Sequence, residues 1–304
     1  TGTPAITLKL KDKEIQLNEK GDVAKGAIDW GVYPQLVKHL VEKGVIKIKD
    51  KVLVEIESNV PKGVGASSSV AAALCISLYK YGGKKISKEE LFEDVQFVDQ
   101  IAHGGSPSGI DARTVLFGST KLLRTVENDK LKWNFEAVDV SLPRETTLLV
   151  IDTFTGNKRV GTGEMIKKVA GNLGLLKPDG SVKQLTEFTE GDKNKVAPFV
   201  KIFKKIISEL KPSGDAVALG IAMNENHTLL ASLGASTKGI SQARQIATQS
   251  GAYGAKLTGA GGEGGAVIAL IKKVDAENII AKLKQNGFNA FEAKPCKGAD
   301  KLNS

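Results

Sequence analysis

Apolar positions along the chain recur with two periods, and the switches between them mark its elements. Residues 5–10 and 51–56 read as strands, and residues 33–42 between them repeat at helical spacing. An apolar, small-residue helix is expected over residues 68–79, ending at the paired glycines Gly82 and Gly83. Ser87 opens the next helix through a capping box with Glu90. Leu91, Val95, Val98 and Ala102 then define its core face, with Gln96, Asp99, Gln100 and His103 opposite. Around Pro143 the pattern resets. A buried strand over residues 146–151 is followed by a polar, glycine-containing loop over residues 153–163. The second half reads as helices over residues 200–210, 216–233 and 241–249, a glycine loop, a strand over residues 266–271, a helix over residues 275–285 and a last strand near Phe288. The sum is an α+β chain, its second half helices layered over an antiparallel sheet, with domains expected over residues 1–145 and 146–304.

Composition sharpens this picture in three places. A chain of 304 residues that is 41% hydrophobic buries a substantial core and suits two domains. Its apolar runs, such as residues 70–78 and 266–271, are far shorter than the roughly 20 residues that cross a bilayer, so no membrane partner is expected. No basic-then-apolar leader is read at the start. The two cysteines, Cys75 and Cys296, suggest neither a disulfide framework nor a metal cluster, and a cytoplasmic location is expected. The net charge of +9 fits an anionic substrate, a nucleic acid or a solvated lysine surface. Scattered lysines and an aromatic content of 5% weigh against a single-strand stacking platform, and no nucleic-acid partner is expected.

Three loops carry candidate chemistry. Pro61-Lys62-Gly63-Val64-Gly65-Ala66-Ser67-Ser68-Ser69-Val70-Ala71 runs a glycine turn into a helix. Glycines admit backbone N–H groups close to phosphate oxygens, and a helix N-terminus adds unpaired donors and a favourable dipole. An ordinary turn with a serine N-cap is the competing reading. No Gly-Lys-Ser or Gly-Lys-Thr follows, which excludes a Walker loop. In the second loop, Ala102-His103-Gly104-Gly105-Ser106-Pro107-Ser108-Gly109-Ile110-Asp111-Ala112, Asp111 is the candidate base for an acceptor hydroxyl, or else an N-cap for the segment from Ala112. Asp99, one helical turn before His103, is either an oxygen ligand for Mg²⁺ or a solvated acid, and His103 itself is either functional or merely favoured by the helix dipole. The third loop is Lys256-Leu257-Thr258-Gly259-Ala260-Gly261-Gly262-Glu263-Gly264-Gly265, whose glycines are costly to order and suit backbone that touches a ligand.

Together, in this order, the three segments resemble the GHMP kinase superfamily, and most closely its mevalonate kinases. The first loop is similar to the superfamily's ATP-binding motif Pro-x-x-x-Gly-Leu-Gly-Ser-Ser-Ala-Ala, with Ala66, Ser67 and Val70 as departures. The third is similar to Lys-Leu-Thr-Gly-Ala-Gly-Gly-Gly-Gly-Cys, with Glu263 and Gly265 as departures. Residues 103–111 resemble the mevalonate kinase string His-Gly-x-Pro-Ser-Gly-x-Asp with one extra residue before Pro107, and residues 223–236 resemble the helix that closes that family's active site.

The resemblance implies a two-domain GHMP kinase-like fold, ribosomal S5 domain 2-like in its N-terminal part and ferredoxin-like in its C-terminal part. It implies an ATP- and Mg²⁺-dependent phosphotransferase acting on the 5-hydroxyl of mevalonate. Asp111 would be the catalytic base, and Ser69 and Asp99 would hold the metal. Lys62, Gly63, Gly65, Ala66, Ser67, Ser68, Ser69, Gly259, Gly261 and Gly262 would contact ATP. His103, Ser108, Gly109 and Thr162 would face the substrate. A homodimer follows by analogy. Gly2-Thr3-Pro4-Ala5-Ile6 resembles the tail of the superfamily's first motif without its Pro-Gly-Lys and Gly-Glu-His parts, so a truncated chain is expected. A phosphomevalonate or sugar kinase is the alternative favoured by the triple serine. An inactive binding protein is the alternative favoured by Glu263 and the absent motif. Retention of Asp111, Asp99 and the serine loop weighs against the latter.

Overall fold

The cross-strand pairs Ile6–Leu17 and Leu8–Ile15, all buried, join strand β1 (Ile6–Leu10) to the antiparallel β2 (Lys13–Leu17) by a single apolar face. The computed structural model describes residues 5–10, 13–26, 31–47, 51–58, 60, 64–102, 108–128, 130–154 and 159–299. In the first part of the chain β3 (Val23–Lys25) pairs with β2, and β4 (Val52–Ile56) lies parallel to β1, giving the order β3-β2-β1-β4. Helices α1 (Tyr33–Glu42), α2 (Ala66–Tyr81), α3 (Lys88–Ala102) and α4 (Ile110–Phe117) share one core with these strands, through Leu36, Leu40, Cys75, Leu78, Leu91, Val95, Val98 and Leu116. The Ser87–Glu90 capping box is present: Glu90 Oε2 accepts from the Ser87 N–H at 3.0 Å, and Ser87 Oγ accepts from the Glu90 N–H at 3.2 Å.

Two expectations for α3 are corrected. Ala102 is exposed, and the buried stripe holds Asp94 and Asp99 beside Leu91, Val95 and Val98. Helical spacing puts Asp99 opposite the apolar stripe and leaves open whether it is solvated, but burial excludes the solvated alternative, because a helical wheel ignores neighbouring elements. Ser68 reaches across from α2 and encloses it, as described below.

The second part begins with a hairpin, β5 (Thr120–Glu127) and β6 (Lys130–Ala137). Strand β7 (Thr146–Asp152) and helices α5 (Thr162–Asn172), α6 (Glu190–Glu209), α7 (Ala216–Ser232) and α8 (Lys238–Gln249) follow. The chain then forms β8 (Gly254–Thr258), β9 (Ala266–Lys272), α9 (Ala276–Gln285) and β10 (Asn289–Ala293). The order β10-β7-β9-β8, antiparallel throughout, is the ferredoxin-like split βαβ arrangement. Both faces of this sheet are covered. Leu149, Ile151, Leu257, Val267 and Ile271 pack with α8 and α9, while Leu270 packs with Leu219 and Met223 of α7. Helix α5 occupies the end of the stretch expected as a loop, and α6 starts ten residues earlier than the expected residue 200, through a Thr189–Asp192 capping box.

By its contacts the chain separates into two compact units, Thr1–Lys121 with Lys297–Ser304, and Leu122–Cys296. The β5–β6 hairpin thus falls almost wholly in the second unit, ahead of the boundary expected at residue 145, because the reset at Pro143 marks the first strand of a sheet and not the first residue of its unit. Among the described residues no helix is long and apolar enough to cross a membrane.

Candidate active site

In the first unit two helices start in the same way. Gly65 precedes α2 at φ +79° and Gly109 precedes α4 at φ +74°, both in the left-handed region where a side chain is strained and glycine is not. Glycine has no side chain with which to cap either helix, so no first-turn N–H is taken by the cap residue itself. The serine-cap reading of the first loop is therefore corrected, and so is the cap reading of Asp111: Gly109 is the cap residue, and Asp111 lies in the first turn of α4, half-buried. A carboxylate there is favoured by the helix dipole. Ser108 Oγ accepts from the Ile110 N–H at 3.3 Å, bracing the entry to that turn.

The serines of α2 divide their tasks. Ser68 is fully buried and its Oγ donates to Asp99 Oδ1 at 2.6 Å, which ties the first turn of α2 to the last turns of α3. Ser69, half-buried, donates through Oγ to the Ala66 carbonyl at 3.1 Å, which leaves its oxygen lone pairs able to accept a cation. Helix α4 packs against both α2 and α3. The structure thus brings together Gly65, Ala66, Ser67, Ser68, Ser69 and Asp99 around one helix start, on a framework shared with Ser108, Gly109 and Asp111. Lys62, Gly63 and His103 lie outside the described residues.

A further buried carboxylate escaped the sequence reading. Asp94 accepts from Lys43 Nζ at 2.5 Å and from Tyr79 Oη at 2.9 Å, and lies 2.9 Å from His39 Nε2, so it ties α1, α2 and α3 together. Burial and the adjacent Asp94 carboxylate push the Tyr79 hydroxyl up to about 12. The signal was its place between Leu91 and Val98 on the apolar stripe.

In the second unit the 259–265 loop is packed from several sides. Gly259, Gly261, Gly262 and Gly264 have φ between +69° and +76°. A Cβ on Gly261 would collide with the Ala235 carbonyl, one on Gly262 would lie 2.7 Å from Met165 Sδ, and one on Gly264 would lie 2.6 Å from Arg159 Cγ. Arg159 donates to both carboxylate oxygens of Asp152 at 2.9 Å and to the Gly264 carbonyl, while its guanidinium stacks 4.3 Å from the Phe154 ring. Thr153 Oγ1 donates to the Gly265 carbonyl at 2.6 Å, and the Val160 N–H to the Glu263 carbonyl at 3.1 Å. Thr162 stands in the first turn of α5, whose Met165 abuts the loop, so Thr162 and Gly262 belong to one local assembly. Ala260 and Glu263, the two non-glycines of the run, occupy positions without positive φ, and the Glu263 side chain is exposed.

Comparison with known proteins agrees with this architecture. The GHMP kinases N terminal domain matches residues 33–119 and the GHMP kinases C terminal matches residues 203–289. A mevalonate kinase of Pyrococcus abyssi is 32% identical over 96% of this chain and 83% of its own length. One of Aeropyrum pernix is 30% identical over 90% of this chain and 77% of its own. The solved structure of the Methanococcus jannaschii mevalonate kinase superposes with a TM-score of 0.68 at 19% identity, covering 98% of this chain and 86% of that one, a likeness of fold.

Proposed function

The chain belongs to the GHMP kinase family, on its mevalonate kinase branch, and from that premise we propose that it transfers the γ-phosphoryl group of ATP to the 5-hydroxyl of mevalonate, giving 5-phosphomevalonate for isoprenoid precursor synthesis. The observation that carries this reading is the pairing of relatives at about 30% identity along most of the chain with the carboxylate of Asp111 in the first turn of α4. Transfer is direct. The new O–P bond forms in line as the bond from the γ-phosphorus to the β,γ-bridging oxygen breaks, ADP leaves, and Asp111 accepts the proton of the attacking hydroxyl. Asp111 also orients that hydroxyl, and Ser108, Gly109, His103 and Thr162 serve as acceptor-side contacts.

The start of α2 supports a phosphate-binding role. Its first-turn N–H groups and Ser67 point to an anion cradle, and Lys62, Gly63, Gly65, Ala66, Ser68, Gly259, Gly261 and Gly262 are assigned as further nucleotide contacts. Mg²⁺ suits this set, because Ser69 and Asp99 offer a hydroxyl and a carboxylate oxygen, the hard ligands it takes alongside phosphates and water. Bound there, the ion would neutralise developing charge on the phosphate oxygens. The free thiols of Cys75 and Cys296 fit a cytoplasmic enzyme.

The test is ADP release measured with mevalonate, phosphomevalonate, galactose and homoserine side by side. Mevalonate-dependent release is expected, and release driven only by another acceptor, or by none while ATP still binds, overturns the assignment. In the same assay Asp111→Asn is expected to cut turnover by about 10²–10⁴ while ATP affinity stays within about twofold. Equal loss of turnover and ATP binding would remove Asp111 from the base role.

A further inference from the structure

Strand β8 ends its sheet, so one row of its backbone groups points away from β9. In an antiparallel edge strand that row is made by alternate residues, here Ala255 and Leu257. Every group in it is met by a side chain. The Ala255 N–H donates to Asn224 Oδ1 at 3.1 Å and the Ala255 carbonyl accepts from Arg244 Nε at 2.9 Å. The Leu257 N–H donates to His227 Nδ1 at 3.3 Å and the Leu257 carbonyl accepts from Lys256 Nζ at 2.7 Å. Arg244 donates a second bond to Asn224 Oδ1 at 3.1 Å, linking α8 to α7 across the strand. Asn224 and His227, three residues apart on α7, stand where a neighbouring strand would stand.

Closing an exposed edge needs much less than this, since a surface lysine or a proline suffices. The set here is costly. His227 is only 5% exposed and is held down to about 4, first by burial and then by Arg244 and Lys256, while burial alone holds Lys256 down to about 8. Neither Arg244 nor Lys256 has a carboxylate partner among the described residues. One residue after Leu257 the strand ends, and the 259–265 loop begins with its tightly packed glycines.

We propose that Asn224, His227, Arg244 and Lys256 form a side-chain clamp on the outer edge of β8 that positions the 259–265 loop for nucleotide. These are positioning residues, acting through the strand and loop, and the proposal rests on the kinase reading above. The test compares variants that keep or remove each bond in the whole chain. ATP affinity is measured by titration without acceptor, melting temperature is measured alongside, and amide exchange is followed in the loop. Asn224→Leu and His227→Leu are expected to weaken ATP binding about tenfold, the scale of one lost buried hydrogen bond. Asn224→Asp keeps an oxygen acceptor for its N–H, His227→Gln offers an amide oxygen in place of the ring nitrogen, and both are expected to stay within about threefold. Lys256→Met removes a buried charge without shortening the stem and guards against a leucine variant that fails to fold. It is expected to weaken ATP binding and to speed loop exchange about tenfold. Folded variants with lower melting temperature but unchanged ATP affinity and loop exchange overturn the clamp, leaving a mere edge cover. A wild-type chain that binds no ATP sinks the kinase reading instead, and the clamp then stands or falls on loop exchange in Lys256→Met.

Discussion

The two glycine-bearing segments of this chain look alike in sequence and differ in what their glycines are for. At Gly65 the requirement is conformational: φ is +79°, and a Cβ would meet no atom of a described residue within 4 Å. In the 259–265 loop conformation and packing act together, because Gly261, Gly262 and Gly264 combine positive φ with a Cβ direction already filled by Ala235, Met165 and Arg159. A glycine-rich string therefore does not by itself say that backbone touches ligand. The first segment offers a helix start with uncapped donors, while the second is moulded onto its own unit.

Substituting one glycine from each segment gives the largest contrast. Gly261→Ala must take an αL conformation and also displace the backbone of Ala235, so a loss of about 3 kcal/mol or more in unfolding free energy is expected. Gly65→Ala carries only the conformational term and is expected to lose about 1–2 kcal/mol. Urea unfolding of both variants decides it: equal losses would mean that the loop yields to the added methyl and that packing is not what its glycines serve.

The buried pair at the α2 start comes next in size. Ser68→Ala leaves the Asp99 carboxylate without its 2.6 Å donor and should cost about 1–3 kcal/mol. Asp99→Asn keeps an acceptor for Ser68 and should retain most of that stability, while the Mg²⁺ dependence of ATP binding weakens. Unaltered magnesium dependence in Asp99→Asn would leave Asp99 as a structural partner of Ser68 alone.

The same contrast explains how far the sequence could be read. Long periodic stretches were legible: residues 33–42 form α1 as expected, and β1, β4, β7 and β9 fall where alternating or continuous apolar runs placed them. The hairpin β5–β6 was not, although Asn128 at φ +51° sits in its turn, because polar residues interrupt both strands and dilute their alternation. Helix α5 was hidden by Gly161 and Gly163 at its start, which read as loop. At the candidate site, the residue types and their order were legible in the motifs. Asp99's burial and the clamp on β8 were not, since each depends on partners that only the fold brings close, Ser68 in one case and Asn224, His227 and Arg244 in the other.

Two groups of the second unit add a dependence on pH. His227 falls from its ordinary 6.5 to about 4 in the folded chain, so its neutral form stabilises fully above pH 6.5 and that contribution is lost as pH falls from 6.5 to 4. Lys256 falls from 10.5 to about 8, so the unfolded chain holds the proton more tightly and stability rises as pH climbs from 8 to 10.5. Both limbs belong to the second unit. Amide exchange in β8 followed across pH should show them, and His227→Gln should flatten the acid limb while Lys256→Met flattens the alkaline one. An acid limb that survives in His227→Gln would assign it to other groups.

The smallest expected effect tests the loop at its one acidic position. Glu263 replaces a glycine of the family motif, yet its φ is not positive and its side chain is exposed, so neither of the two demands on the neighbouring glycines applies to it. Glu263→Gln should therefore change unfolding free energy by less than about 0.5 kcal/mol. Its carboxylate would matter to ATP only if it stood close to the phosphates, because exposed charges beyond about 10 Å are largely screened at ordinary salt. ATP affinity within about twofold of wild type is expected by titration at low and at physiological salt. Tightening of tenfold or more at low salt would place the carboxylate against the phosphates, and would turn the second glycine segment from a packed support into a direct, partly repulsive contact with nucleotide.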